Sequence, residues 1–361
     1  MMRTITLEEH YATPAFMQGP GRQLQDQARA MQAHPQVAAG LTALIDRLGD
    51  LDDRRIAEMD AAGIDVQVLS LTAPGTEQLD AAGAEVLARE ANDILAEAVR
   101  RHPNRFAGFA ALPTAAPDTA ADELERTVRA YGFKGFMING HIRGRYLDDP
   151  FFWPILERAA ALQVPLYLHP TPPPQPVIAA SYTGHFAPEV TTGLATAAWG
   201  WHIETATHVL RLILSGAFDR YPGLQLIIGH LGETLPFMLP RLDLGLPVQV
   251  TKLQRPLGAY LRENVHYRSV ASTTCLPSST CCCKWGSTGS CSPPTIPIAR
   301  WSRRGLSCSN CRSAQPTKSR SPTATRSASY ICEPPRLVAH PDAPLAAHAA
   351  LRNPVTTITT A

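Results

Sequence analysis

The first 267 residues predict a (β/α)8 barrel of the TIM type, and three observations carry that expectation. Short β-prone runs alternate with helix-length segments six or so times before residue 267. The runs are apolar on both faces, as strands must be in a parallel sheet covered by helices. The length suits a fold that needs roughly 250 residues. The expectation includes a defect: the last one or two strands are lost or distorted after residue 267.

The elements follow in order. Residues 4–7 form a short β-prone run. Residues 52–62 have helical spacing and stop at Gly63, which suits a C-terminal cap; the apolar strand 65–71 comes next. The Ala/Glu/Leu-rich stretch 78–101 is a long helix ended by Pro103, and 106–112 is a short apolar strand. Residues 117–130 are helical, with Asp118 placed to favour the positive end of the helix dipole. The series continues with strand 135–138, helix 150–162, strand 164–169, helix 202–215 and strand 224–230.

Composition narrows the function classes. With 45% hydrophobic and 18% charged residues the chain reads as a globular protein with an ample core. A net charge of +2 gives no reason to expect a polyanionic partner. No apolar run approaches the ~20 residues needed to span a bilayer. Acids at Glu8 and Glu9 stand where a secretory signal would be apolar, so the expected location is cytoplasmic.

The character of the chain changes after Tyr267. Residues 1–267 hold 22 Lys+Arg and 29 Asp+Glu, a balance of −7; residues 268–361 hold 11 and 2, a balance of +9. All eight cysteines lie at or after Cys275. Ser, Thr, Pro, Cys and Arg dominate the stretch, without apolar periodicity, as in a disordered tail. The run Cys281-Cys282-Cys283 and the pair Cys308 and Cys311 lack the two spaced pairs of a zinc ribbon. The expected domains are therefore 1–267, an incomplete catalytic barrel, and 268–361, an aberrant tail.

Three polar clusters fall at the C-terminal ends of predicted strands, the end that carries barrel active sites. Glu8 and His10 follow the first strand; two residues apart on an extended chain, they point the same way. A carboxylate and an imidazole suit a divalent transition metal. His169 closes the strand 164–169, and His230 ends the strand 224–230 with Glu233 opening the next helix. A His beside a carboxylate is an oriented acid or base. Taken singly, each cluster reads equally well as a surface group or a hydrogen-bonded core His. A barrel converges all of them on one point. Asn139, after strand 135–138, either orients a ligand or is a turn residue before Gly140.

These residues lie in segments that resemble a known group. They are Thr6-Leu-Glu-Glu-His-Tyr-Ala-Thr-Pro14, Gly135-Phe-Met-Ile-Asn-Gly140, Tyr146-Leu-Asp-Asp-Pro150, Val164-Pro-Leu-Tyr-Leu-His-Pro170, Glu204-Thr-Ala-Thr-His208 and Ile228-Gly-His-Leu-Gly-Glu233. Over about residues 3–267 the chain is similar to the amidohydrolase-related decarboxylases, the group of the γ-resorcylate and 2,3-dihydroxybenzoate enzymes. The resemblance implies a TIM barrel with one divalent ion, zinc or manganese, in a homo-oligomer. It implies Glu8, His10 and His169 as metal ligands, His230 with Glu233 as the catalytic pair, and non-oxidative decarboxylation of a small hydroxylated aromatic acid.

The group also carries an Asp ligand in a Phe-Ser-x-Asp-Tyr-Pro segment, which this chain lacks. Offsetting the codons by one base recovers it. Residues 271–276 then permit Gly-Phe-Asn-Tyr-Leu-Pro, and residues 286–297 permit Val-Asp-Arg-Ile-Met-Phe-Ser-Thr-Asp-Tyr-Pro. The expectation is a frameshift close to Arg268, with the Asp codon straddling Pro294 and Thr295, and a chain of impaired solubility or activity. Two alternatives stay open: a metal-dependent hydrolase of a small amide or lactone, disfavoured by Glu8 in place of the first His of His-x-His, and a non-catalytic remnant. The loops 17–23 and 171–193 hold no readable specificity code.

Overall fold

The computed structural model describes residues 4–30 and 35–268. Within them is an incomplete (β/α) barrel. Seven parallel strands run in sequence order: β1 (Ile5–Tyr11), β2 (Val66–Leu71), β3 (Phe106–Ala110), β4 (Gly135–Asn139), β5 (Leu166–His169), β6 (Leu226–Ile228) and β7 (Val265–Tyr267). Every neighbouring pair is parallel. β1 and β7 are the two edges of this sheet among the described residues. The tail, its cysteines and the offset-frame segments lie outside the described residues. No described helix is long and apolar enough to cross a membrane.

Alternation along the strands divides the core in two. Val66, Val68, Ala107, Phe109, Met137, Tyr167 and Ile227 pack with one another inside the sheet, with Ile5 and Leu7 against them. Leu69, Leu71, Phe106, Ala110, Phe136, Ile138, Leu166, Leu168, Leu226 and Ile228 face the helices. Period-two side-chain direction makes each strand apolar on both faces. The helix Ala81–Arg101 shows how the outer layer docks. Asp80 accepts a hydrogen bond from the Gly83 amide at 2.8 Å, capping the N-terminus. Ala84, Leu87, Ala88, Ala91, Leu95 and Ala98 form its buried stripe. Arg100 and Arg101 occupy the last turn, where cations favour the dipole.

The sequence boundaries shift at particular points. Gly63 caps the helix Asp53–Ala62 with φ 68°, as expected. β6 stops at Ile228, so His230 is not on a strand; it begins a tight turn, His230–Gly232. Glu233 does not open the next helix, which starts at Leu235. Five consecutive residues, His230 to Thr234, have positive φ, between 47° and 87°. Such a run is costly for non-glycine residues, roughly 1–2 kcal/mol each, and is found where surrounding contacts enforce it. At Gly232 a Cβ would stand 2.5 Å from the Tyr267 ring, so the turn closes against β7 only with glycine there. The helices Arg22–Ala30, Pro35–Leu48, Gln175–Ser181 and Pro188–Ala195 were not anticipated.

Candidate active site

The C-terminal strand ends gather the predicted residues into two adjoining clusters. Among the described residues, Glu8, His10 and His169 form one group and His202, His230 and Glu233 another, each with ligand-type atoms within 4.8 Å of one another.

The first group depends on a bulge. Ile5 pairs with Val66, and His10 with Ser70, so β1 spends one extra residue between Thr6 and Glu9. Strict alternation from Ile5 and Leu7 would turn His10 outward. The bulge, with Glu8 at φ 63°, restores His10 to the interior face shared by Val66, Val68 and Ser70. The simple reading that positions 8 and 10 share a face by extended geometry is therefore corrected: they meet through a kink. Glu9 goes outward and accepts from Gln67 Nε2 at 3.0 Å.

Within the barrel mouth, Glu8 Oε1 lies 3.4 Å from His169 Nε2 and 3.9 Å from His230 Nε2. Glu8 Oε2 accepts from the Tyr167 hydroxyl at 2.7 Å and from the Arg268 guanidinium. Tyr167 and His169 are two apart on β5, so one strand face supplies both. The His10 and His169 rings meet edge to face, with centroids 4.9 Å apart. His10 Nδ1 is 3.4 Å from Ser70 Oγ, which leaves Nε2 for the site. Burial pushes His10 down to about 3, with His169 adding to it, and pushes His169 down to about 4, with His230 adding to it. Both imidazoles are thus neutral near pH 7, the form with a lone pair to give.

The second group is saturated internally. Glu233 Oε1 lies 2.7 Å from His230 Nδ1, and Oε2 lies 2.6 Å from His202 Nδ1. Burial works to raise the Glu233 carboxyl, but the hydrogen bonds from His202 and His230 outweigh it and hold it below the usual range. The bond to Glu233 raises His202. The left-handed turn aims His230 Nε2 back at Glu8.

Asn139 ends β4 beside His169 in register and is buried. It is no turn residue: its backbone amide donates to Glu77 Oε1 at 3.0 Å and its side-chain amide to Oε2 at 3.5 Å. Glu77, also buried, has no cationic partner among the described residues, and burial pushes it up to about 7. The segments around Tyr146 and Glu204 have a structural role. Tyr146 donates to Glu204 at 2.6 Å, and the Leu147 amide donates to His208 Nε2 at 3.0 Å, so the loop after β4 is stapled to the helix Gly200–Leu214.

Sequence reasoning missed His202, Tyr167, Ser70, Glu77 and Arg268. Tyr167 had a signal, since it lies two residues before His169 on a recognised strand. His202 had none, because a helix residue and a turn residue 31 positions apart meet only in the folded chain.

Comparison with known proteins places this geometry. A family model described as "Amidohydrolase" matches residues 22–274, well over half of the chain; Glu8 and His10 precede the matched stretch. The chain is 41% identical over 246 residues to a γ-resorcylate decarboxylase of Polaromonas sp. (strain JS666), covering 66% of this chain and 70% of that one. Its fold is similar to a solved 5-carboxyvanillate decarboxylase from Novosphingobium aromaticivorans, in complex with manganese and 4-hydroxy-3-methoxy-5-nitrobenzoic acid. The TM-score is 0.65 at 38% identity, covering 74% and 78% of the two chains. A dihydroxybenzoic acid decarboxylase from Polaromonas sp. JS666, solved with manganese and 2-nitroresorcinol, gives 0.66 at 36% identity, covering 79% and 82%. A seven-stranded parallel sheet with its polar groups gathered at the strand ends, matched by that family model over most of its length, makes this chain a member of the amidohydrolase family.

Proposed function

We propose that this protein is a metal-dependent carboxy-lyase that removes carbon dioxide, without oxidation, from a small hydroxylated aromatic acid. The observation that carries the reading is the convergence of Glu8, His10 and His169 beside the His230–Glu233 pair. The donor set fits a divalent cation: one carboxylate held by Tyr167, and two imidazoles kept neutral by burial. A donor set of two imidazoles and one carboxylate suits zinc or manganese; two solved relatives hold manganese, and on that ground we favour it. The named decarboxylases among the relatives support this reading over an amide or lactone hydrolase.

Glu8, His10 and His169 would hold the ion, which when bound supplies a Lewis acid for the substrate's carboxylate and hydroxyl oxygens. Glu233 fixes the tautomer and direction of His230, whose Nε2 then presents to an oxygen of the substrate. Asn139, braced by Glu77, lines the mouth next to His169 and orients the ring. The chemistry itself adds a proton to the ring carbon bearing the carboxylate, then breaks the carbon–carbon bond as aromaticity returns. The Asp of the offset frame belongs to this proposal as a further ligand and proton donor. We accordingly expect the chain as translated to be impaired relative to its frame-corrected counterpart.

The experiment is a carbon dioxide release assay on both chains, chelated and manganese-loaded, over a panel of hydroxybenzoates. Release that requires the metal, strongest in the frame-corrected chain, is the expected result. Lactone or amide hydrolysis without carbon dioxide would overturn the proposal. Gene sequencing across codon 268 tests the frame; DNA that forbids the offset codons ends that part.

A further inference from the structure

We propose that Arg268 is an internal cation that occupies the carboxylate of the metal centre and competes with the divalent ion for it. The inference rests on the reading of Glu8, His10 and His169 as that centre.

The position of Arg268 is fixed by its backbone. Its amide donates to the Ile228 carbonyl at 2.9 Å, and its carbonyl accepts from the Leu231 amide at 3.0 Å. The residue is thus clamped between the end of β6 and the left-handed turn. From there the guanidinium reaches from the last strand of the sheet to the first and donates to Glu8 Oε2, the oxygen that also accepts from Tyr167. Its side chain is 20% exposed and that of Glu8 is 8% exposed, so solvent screens the pair poorly.

Charge counting gives the consequence. Glu8 is the sole carboxylate of its group. The three donors include one carboxylate, and the Arg268 guanidinium is bonded to it. A divalent ion entering the group must displace the guanidinium or bind within a few ångströms of it, where like-charge repulsion in a partly buried site is large. Arg268 therefore stabilises the metal-free form and weakens loading.

Manganese titration of the full chain tests this, with the loss of the free hexaaquo ion's electron paramagnetic resonance signal as the readout. The series is wild type, Arg268→Gln, Arg268→Lys and His169→Ala. Near-ultraviolet circular dichroism checks that each keeps the wild-type fold. Arg268→Met, which retains the apolar stem, replaces the Gln variant should that one unfold. We expect Arg268→Gln to bind manganese at least about tenfold more tightly than wild type, and Arg268→Lys, which keeps the charge, to stay within about threefold of wild type. Equal affinity in wild type and Arg268→Gln, abolished by His169→Ala, overturns the competitor role and leaves the metal centre standing. Absence of binding in every folded variant overturns the metal centre together with the inference.

Discussion

The two carboxylate–histidine clusters lie side by side and are built on opposite plans. Glu233 is fully buried, and both of its oxygens are taken by imidazoles at hydrogen-bond distance. Glu8 keeps one oxygen facing His169 and His230 at 3.4 and 3.9 Å, too far for strong bonds, while its other oxygen is anchored. The first plan is closed: it holds two rings in place and asks for nothing more. The second leaves one carboxylate oxygen open toward two imidazoles, the geometry on which the proposed metal centre rests. Adjacent groups of the same residue types thus differ in how their carboxylates are satisfied; in the proposed function the closed one has a positioning task and the open one a binding task.

Breaking the open cluster gives the largest effect. His169→Ala removes a neutral imidazole from the donor set, and manganese affinity should fall by more than about a hundredfold, beyond what loss of an outer-shell partner costs. Turnover should fall with it. Equilibrium dialysis measures the first, and near-normal binding would erase the distinction between the clusters.

A third buried carboxylate serves as a control, because among the described residues it has neither imidazole nor cation beside it. Burial raises Glu77 from 4.5 to about 7. An acid whose folded pKa is raised holds its proton longer in the native state than in the unfolded one. Stability should therefore decline as pH climbs from about 4.5 to about 7, by about 3 kcal/mol in all. Glu77→Gln should flatten that decline in urea denaturation at pH 5 and pH 8. The same slope in both proteins would show that the Asn139 amides, not burial, dominate.

The smallest effect belongs to the closed cluster. Glu233→Gln should leave manganese affinity within about threefold while lowering turnover about tenfold, as loss of an orienting partner does. Loss of metal on the scale of His169→Ala would instead make the two clusters one unit.

Much of the fold was legible because barrel strands announce themselves: Leu166 to His169 is apolar on both faces and bounded by Pro165 and Pro170. The boundaries failed where backbone geometry departs from periodicity. β6 was read through to His230, yet it ends at Ile228, since five left-handed residues cannot be inferred from apolar spacing. For Asn139, followed by Gly140, the sequence leaves both a turn and a ligand-orienting role open; burial at the end of β4 and the bond to Glu77 exclude the turn.

By itself the sequence determined six of the seven described strands, their parallel order, and that Glu8, His10, His169 and His230 stand near strand ends. Local propensity and apolar pattern suffice for that, since each is a property of a short segment. The tertiary structure decided which side chains face inward and what they meet. The bulge that turns His10 inside, the Tyr167 and Arg268 contacts on Glu8, and the grip of His202 on Glu233 join residues up to 260 positions apart. Such contacts are fixed by register and closure of the sheet, quantities that no single segment contains.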